Sequence, residues 1–254
     1  MSSKKNPPVP KTAAEVESMR KGGAILYTIL HTVGKACTEG VTPKMLDQMA
    51  HELCRQYAVK PAFYGYMGFP GAMCTSVNSA VVHGIPSDIP LKNGDIIGLD
   101  FGVELDGLCT DSAYTFVVGE IPKKTQKFLE TVQESLYAAI AVAKDGMRLG
   151  DISGTIGDMI TKAGYSVVEE LGGHGIGRAV HEEPHIYNFG KKGTGMVLRE
   201  GMTLAIEPIA NMGKKSIYTA ADKWSIFSKD ASLSGHFEHT IVVGKECGEI
   251  LTIA

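Results

Sequence analysis

The sequence predicts an α+β fold, with helices and strands in separate blocks. Helical periodicity covers residues 12–53 and 122–163, while strand-like apolar runs dominate 95–118 and 202–252. Residues 95–118 read as a hairpin, because Asp106-Gly107 is a two-residue turn signal between alternating runs. No Pro-, Gly- or Ser-rich linker divides the blocks. The expectation is therefore one domain over residues 12–254, behind an N-terminal tail over 1–11.

Each element has a local reason. Thr12-Ala13-Ala14-Glu15 fits a capping box, so the first helix starts there. Leu26, Ile29, Leu30, Val33 and Cys37 carry its apolar stripe, and Gly40 closes it. Thr42-Pro43 restarts a helix lined by Leu46, Met49, Ala50 and Leu53. Pro122 opens a third helix through Phe128, Val132, Leu136, Ile140 and Val142, ended by Gly146. A shorter fourth helix follows from about Asp151 to Ala163. The segment 40–59 aligns loosely with 146–165, which suggests an internal duplication of two helices followed by strands.

Composition excludes several classes. The 254 residues are 44% hydrophobic and 21% charged, as in a soluble globular protein. A net charge of −3 gives no basis for a nucleic-acid ligand. No apolar run approaches a membrane span, and the first ten residues hold no signal-peptide core. Lys4, Lys5 and Lys11 read as a solvated basic tail, and Pro7 with Pro10 as an extended segment. Five cysteines without a CxxC spacing point to a reducing compartment, the cytoplasm, and to thiols that are mostly buried.

Acids then appear where apolar strands are expected. Asp100 interrupts Ile96-Ile97-Gly98-Leu99, Glu207 ends Leu204-Ala205-Ile206, and Glu238 precedes Thr240-Ile241-Val242-Val243. A carboxylate in such a run costs several kcal/mol unless something pairs with it. The Asp106-Gly107 turn pairs Leu105 with Leu108 and so Gly102 with Asp111. Asp100 then shares a face with Asp111 as a diagonal neighbour, with Cα atoms about 7–8 Å apart. A one-residue bulge would instead separate them. His174, within Gly172-Gly173-His174-Gly175-Ile176-Gly177, is the imidazole candidate. Carboxylates with one imidazole suit Mn²⁺, Fe²⁺, Co²⁺ or Zn²⁺. Four carboxylates exceed one catalytic zinc and suit two cations about 3.5–4 Å apart.

Other histidines read more blandly. His83 and His181 stand beside chemistry-rich segments, and His239 could support Glu238, whereas His31, His51, His185 and His236 make no claim of their own. His181-Glu182-Glu183-Pro184-His185 matches HExxH, but Pro184 forbids the helix that pattern needs. Gly173, Gly175 and Gly177 have the wrong spacing for a dinucleotide loop. Cys74 has no nucleophile signature and reads as an apolar wall residue.

The five candidates, in this order and context, resemble the methionine aminopeptidases. Val82-His83-Gly84-Ile85-Pro86, Gly173-His174-Gly175-Ile176-Gly177-Arg178, His181-Glu182-Glu183-Pro184, Ile206-Glu207-Pro208 and Glu238-His239-Thr240 carry the resemblance. It implies a pita-bread fold: two pseudo-twofold halves, each with helices on an antiparallel sheet. It implies removal of the initiator Met from nascent polypeptides when the next residue is small. A metal-bridging hydroxide would attack the scissile carbonyl. Asp100 would chelate one divalent cation, Asp111 and Glu238 would bridge two, and His174 and Glu207 would hold the other. His83 and His181 would contact the substrate near the scissile amide, and Glu207 would relay a proton. Tyr66, Phe69, Cys74 and Trp224 would line the methionine pocket.

Two positions depart from the family pattern, Val180 and Phe63, both beside that pocket. Glu207 and Glu238 lie 31 positions apart, too close for the helical insertion of type 2 enzymes, so type 1 is expected. The implied state is a monomer, with a ribosome contact by the tail left open. Two alternatives stand beside this reading. One is an Xaa-Pro hydrolase of the same fold, whose members usually carry an extra N-terminal domain. The other is a non-enzymatic binding protein, whose members typically lose metal ligands; all five are present here.

Overall fold

A computed structural model describes residues 8–254. Lys4, Lys5 and Pro7 lie outside the described residues. Four helices form where the caps place them. Helix α1 (Ala13–Lys35) starts at the capping box, with Glu15 N donating to Thr12 Oγ1 and Thr12 N to the Glu15 carboxylate. Helix α2 (Pro43–Gln56) has Thr42 as its cap, accepting from Met45 N. Helix α3 (Lys123–Val142) follows Pro122. Helix α4 (Leu149–Lys162) begins two residues before the expected Asp151. The reason is the cap: Asp151 lies inside the first turn and its carboxylate accepts from Arg148 N at 2.8 Å.

The second helices of the two pairs match in length and entry. Both α2 and α4 have 14 residues. Each opens three positions after a glycine with left-handed φ, 88° at Gly40 and 83° at Gly146.

The strands Ile96–Leu105 and Leu108–Val117 pair without a bulge, Leu105 with Leu108, Gly102 with Asp111, and on to Ile96 with Val117. The expected register is therefore present. Along its other edge, Ile96–Leu105 takes Met73–Val77 and then Lys60–Pro61. The second large sheet runs Gly248–Ile250, His239–Val243, Thr203–Ile206, Gly172–Gly175, Glu182–Tyr187, all antiparallel. Met73–Val77 escaped sequence reading because both its faces are buried, which erases alternation. Two three-stranded ribbons complete the sheets.

Each half has its own core. Leu26, Ile29, Leu30 and Val33 of α1 and Leu46 and Ala50 of α2 pack on Ile97, Leu99, Phe101 and Val103. Phe128, Val132, Leu136 and Ile140 of α3 and Ile152, Ile156 and Ile160 of α4 pack on Leu204, Ile206, Ile241 and Val243. Burying each such side chain contributes about 1.5–3 kcal/mol. The halves meet where Leu108–Val117 is stitched to residues 236–240. Thr240 Oγ1 donates to Asp111 O and accepts from Asp111 N, Glu238 N donates to Ala113 O, and Ser112 Oγ donates to Glu238 O.

Lys11 corrects an expectation. It is not solvated: it is 7% exposed, and its Nζ donates to Glu182 Oε2 at 2.8 Å. A lysine so enclosed needs a carboxylate partner, and that partner lies 171 positions away.

Neighbouring glycines of α1 supply a test. A Cβ on Gly22 would make ordinary contact with Leu105, at 3.5 Å, whereas one on Gly23 would collide with the Leu251 carbonyl. Helix propensity favours alanine at both sites by about 1 kcal/mol. Thermal unfolding should show Gly22→Ala at or above the parent Tm. Gly23→Ala should fall below it by about 1–3 kcal/mol of strain. Equal shifts would contradict this packing.

Candidate metal centre

The hairpin and the stitched seam bring the acids together. Asp100 and Asp111 project from adjacent strands toward the same cavity, which also takes Glu238 from the seam, Glu207 from the end of Thr203–Ile206, and His174. The cavity encloses about 350 Å³. All eleven residues singled out by sequence line it, the remaining six being His83, His181, Tyr66, Phe69, Cys74 and Trp224.

Two groups of donors converge around these acids. Atoms of Asp111, His174 and Glu238 lie within 4.8 Å of one another, and so do atoms of Glu207, His236 and Glu238. Glu238 belongs to both. His174 Nδ1 sits 2.9 Å from its neighbour's carbonyl, Gly175 O, which leaves Nε2 facing the acids, 3.7 Å from Glu207 Oε1. Asp100 is outside both groups but directly adjoins Asp111.

His236 is the residue that sequence reasoning missed. It is 4% exposed and its Nε2 stands 3.2 Å from Glu207 Oε2. The available signal was proximity: His236 stands two positions before Glu238.

The donor set fits divalent cations. Asp100 Oδ1, Asp111 Oδ1 and Glu238 Oε1 are buried without any hydrogen-bond partner. Buried carboxylate oxygens left bare are costly, and a hard or borderline cation satisfies them. Without one, burial and mutual repulsion push the Asp100 and Glu238 carboxyls well above the usual range. Burial pushes Asp111 up to about 6, with Glu207 adding and His174 and His236 opposing. Glu207 differs. Burial would raise it, but His236, His174 and His83 outweigh that and hold it low.

His83 and His181 line the same cavity. His83 has a left-handed φ of 57°, and the chain there is pinned by Thr75 N donating to Gly84 O. Gly84 is required because a Cβ would collide with Thr75 O. Burial lowers the His83 pKa, so its ring is neutral near pH 7. His181 stands at the open rim, its Nδ1 3.1 Å from Tyr66 Oη and its ring 4.3 Å from that of His174. Burial among its neighbours, with His174 and His83, lowers it to about 4. The HExxH segment is extended, as Pro184 requires: Glu182–Tyr187 is a strand.

The other end of the cavity is apolar. Phe69 meets Trp224 edge to face at 5.2 Å, and the Asp222 carboxylate fixes Trp224 by accepting its backbone N–H. Phe63 lines the wall and packs on Gly102, where a Cβ would stand only 2.9 Å from its ring. Val180 is buried beside Phe63 but does not line the cavity, whereas Met67, not expected, does. Cys74 is the cross-strand neighbour of Asp100. Burial and the nearby acids push its thiol well up, so it stays a neutral wall residue.

Adding Mn²⁺ to metal-stripped protein should raise Tm by about 5–10 °C at a hundredfold excess over Kd. Metal-stripped Asp111→Asn should be at least as stable as the metal-stripped parent, since it relieves repulsion, yet gain far less from Mn²⁺. An undiminished gain would show that Asp111 is not a donor.

The sequence profile of metallopeptidase family M24 matches residues 17–245. A methionine aminopeptidase of Clostridium perfringens is 41% identical over 243 residues, covering 96% of this chain and 98% of the relative. That of Escherichia coli strain K12 is 40% identical over 96% of this chain and 93% of its own. The crystal structure of methionine aminopeptidase from Thermotoga maritima superposes with a TM-score of 0.96 at 40% identity, covering 98% of this chain and all of that one. The prolidase of Pyrococcus horikoshii OT3 shares the fold at a TM-score of 0.78 and 23% identity, and this chain spans 63% of it. The chain therefore belongs to metallopeptidase family M24, among its methionine aminopeptidases, and has their pita-bread fold.

Proposed function

We propose that the protein removes N-terminal methionine from nascent polypeptides whose second residue is small, using two divalent cations, Mn²⁺, Fe²⁺, Co²⁺ or Zn²⁺. The observation that carries this is one cavity with an apolar, aromatic end and an acid end. A methionine side chain suits the first, because sulfur is favourable against aromatic edges. Tyr66, Phe69, Cys74 and Trp224 would hold it there.

In this reading Asp100 would hold one cation, His174 and Glu207 would hold the other, and Asp111 and Glu238 would serve both. Glu238's place in both donor groups supports a shared ligand. Bound there, the cations would lower the pKa of water and polarise a carbonyl. His83 and His181, neutral near pH 7, would hydrogen-bond the scissile amide. Glu207, the carboxylate kept low, would accept a proton and pass it on. A single domain over 12–254 carries the activity, acting as a cytoplasmic monomer, with a ribosome contact assigned to the tail ahead of Lys11. No described helix is long and apolar enough to cross a membrane.

Peptides beginning Met-Ala, Met-Lys and Ala-Pro, incubated with Mn²⁺ or Co²⁺, separate the alternatives. Met should be released from Met-Ala alone. Cleavage of Ala-Pro would instead favour an Xaa-Pro hydrolase, and no cleavage with any metal would favour a binding protein. His83→Ala should lower kcat by about 10²–10⁴-fold while metal content by elemental analysis is unchanged. Loss of metal would make His83 a ligand and refute its assignment to substrate.

A further inference from the structure

We propose that Lys11 is a positioning residue for His181, acting through Glu182. The proposal rests on the reading above that His181 meets the substrate. His181 is carried by the segment 177–182 between two strands, Gly172–Gly175 and Glu182–Tyr187. The organiser of this segment is Glu182. Its Oε1 accepts from Arg178 N at 2.6 Å and Ala179 N at 3.1 Å, which closes the loop on itself. Its Oε2 accepts from Lys11 Nζ at 2.8 Å.

Lys11 is built into the fold rather than laid on it. Its side chain is 2% exposed, and its backbone N–H donates to Gly201 O. The lysine chain runs across Gly177, where a Cβ would collide with Lys11 Cε. A second tie lies beside it: the Arg178 guanidinium donates to Glu15, the capping carboxylate of α1. The start of α1 thus holds the His181 segment at both Arg178 and Glu182.

The geometry explains why this matters for one ring. His181 stands at the rim, where its only side-chain hydrogen-bond contact among the described residues is Tyr66 Oη, at 3.1 Å. Tyr66 itself belongs to a surface loop with left-handed Gly65, Met67 and Gly68 around it. The ring's place is therefore set mainly by its backbone, and the backbone by Glu182. Burial would raise the Glu182 carboxyl, yet the Lys11 ammonium and two amides hold it low, which keeps the charge that Lys11 needs. A ring displaced by about 1 Å loses much of its effect on the reaction.

The test is a cycle of variants assayed on a Met-Ala peptide at saturating Mn²⁺. Lys11→Met should lower kcat about tenfold in the parent, with KM within about twofold. In the His181→Ala background the same change should lower kcat less than about twofold. Lys11→Arg should recover most of the loss. Should Lys11→Met not fold, Glu182→Gln keeps an oxygen for the two amides, removes the charge, and should give the same pattern. An equal fall of kcat with and without His181 would overturn the proposal while leaving the catalytic reading intact. An unchanged kcat in Lys11→Met would do the same. If His181→Ala itself leaves kcat unchanged, the reading of His181 and the proposal both fall.

Discussion

The structure turns on four carboxylates that two apolar halves bury against one another. Asp100, Asp111 and Glu238 are each 9% exposed or less, and three of their oxygens have no hydrogen-bond partner. The surrounding cores are aliphatic and aromatic, and the nearby His174 and His236 offset only part of the burial at Asp111. The acids' mutual repulsion is large because the medium is of low polarity. A fold that keeps such a cluster therefore implies a strongly attractive occupant. Divalent cations supply the charge, the oxygen preference and the chemistry of an M24 peptidase together.

The seam between the halves makes this possible. Asp111 and Glu238 come from different halves, yet Thr240, Ser112 and Ala113 tie their backbones together through four hydrogen bonds. The acids are thus fixed by main-chain geometry before any cation arrives. The wall next to them is equally determined. Phe63 can fill its place only because Gly102, opposite Asp111, has no side chain. A change at Phe63 consequently alters the apolar wall and leaves the acids untouched.

Much of this was legible in the sequence, and the reasons are local. The Asp106-Gly107 turn has φ of 52° and 76°, the two left-handed residues that fix a tight hairpin, so the register and the shared face of Asp100 and Asp111 followed. The helix starts followed from Thr12, Thr42 and Pro122. What was not legible depends on distant partners. His236 lies in a three-residue strand, too short to show alternation, and gains its role from Glu207, 29 positions earlier. Lys11 sits in a polar, Pro-rich opening and reads as solvated until Glu182 is placed beside it. Strands such as Met73–Val77, buried on both faces, carry no period to read.

Crystals soaked in Mn²⁺ and measured at the manganese edge test the central claim most directly. Two anomalous peaks are expected about 3.5–4 Å apart, one near Asp100 and one near His174 and Glu207, with Asp111 and Glu238 between them. No peak among these acids, or a peak held by His83 or His181 in their place, would contradict it.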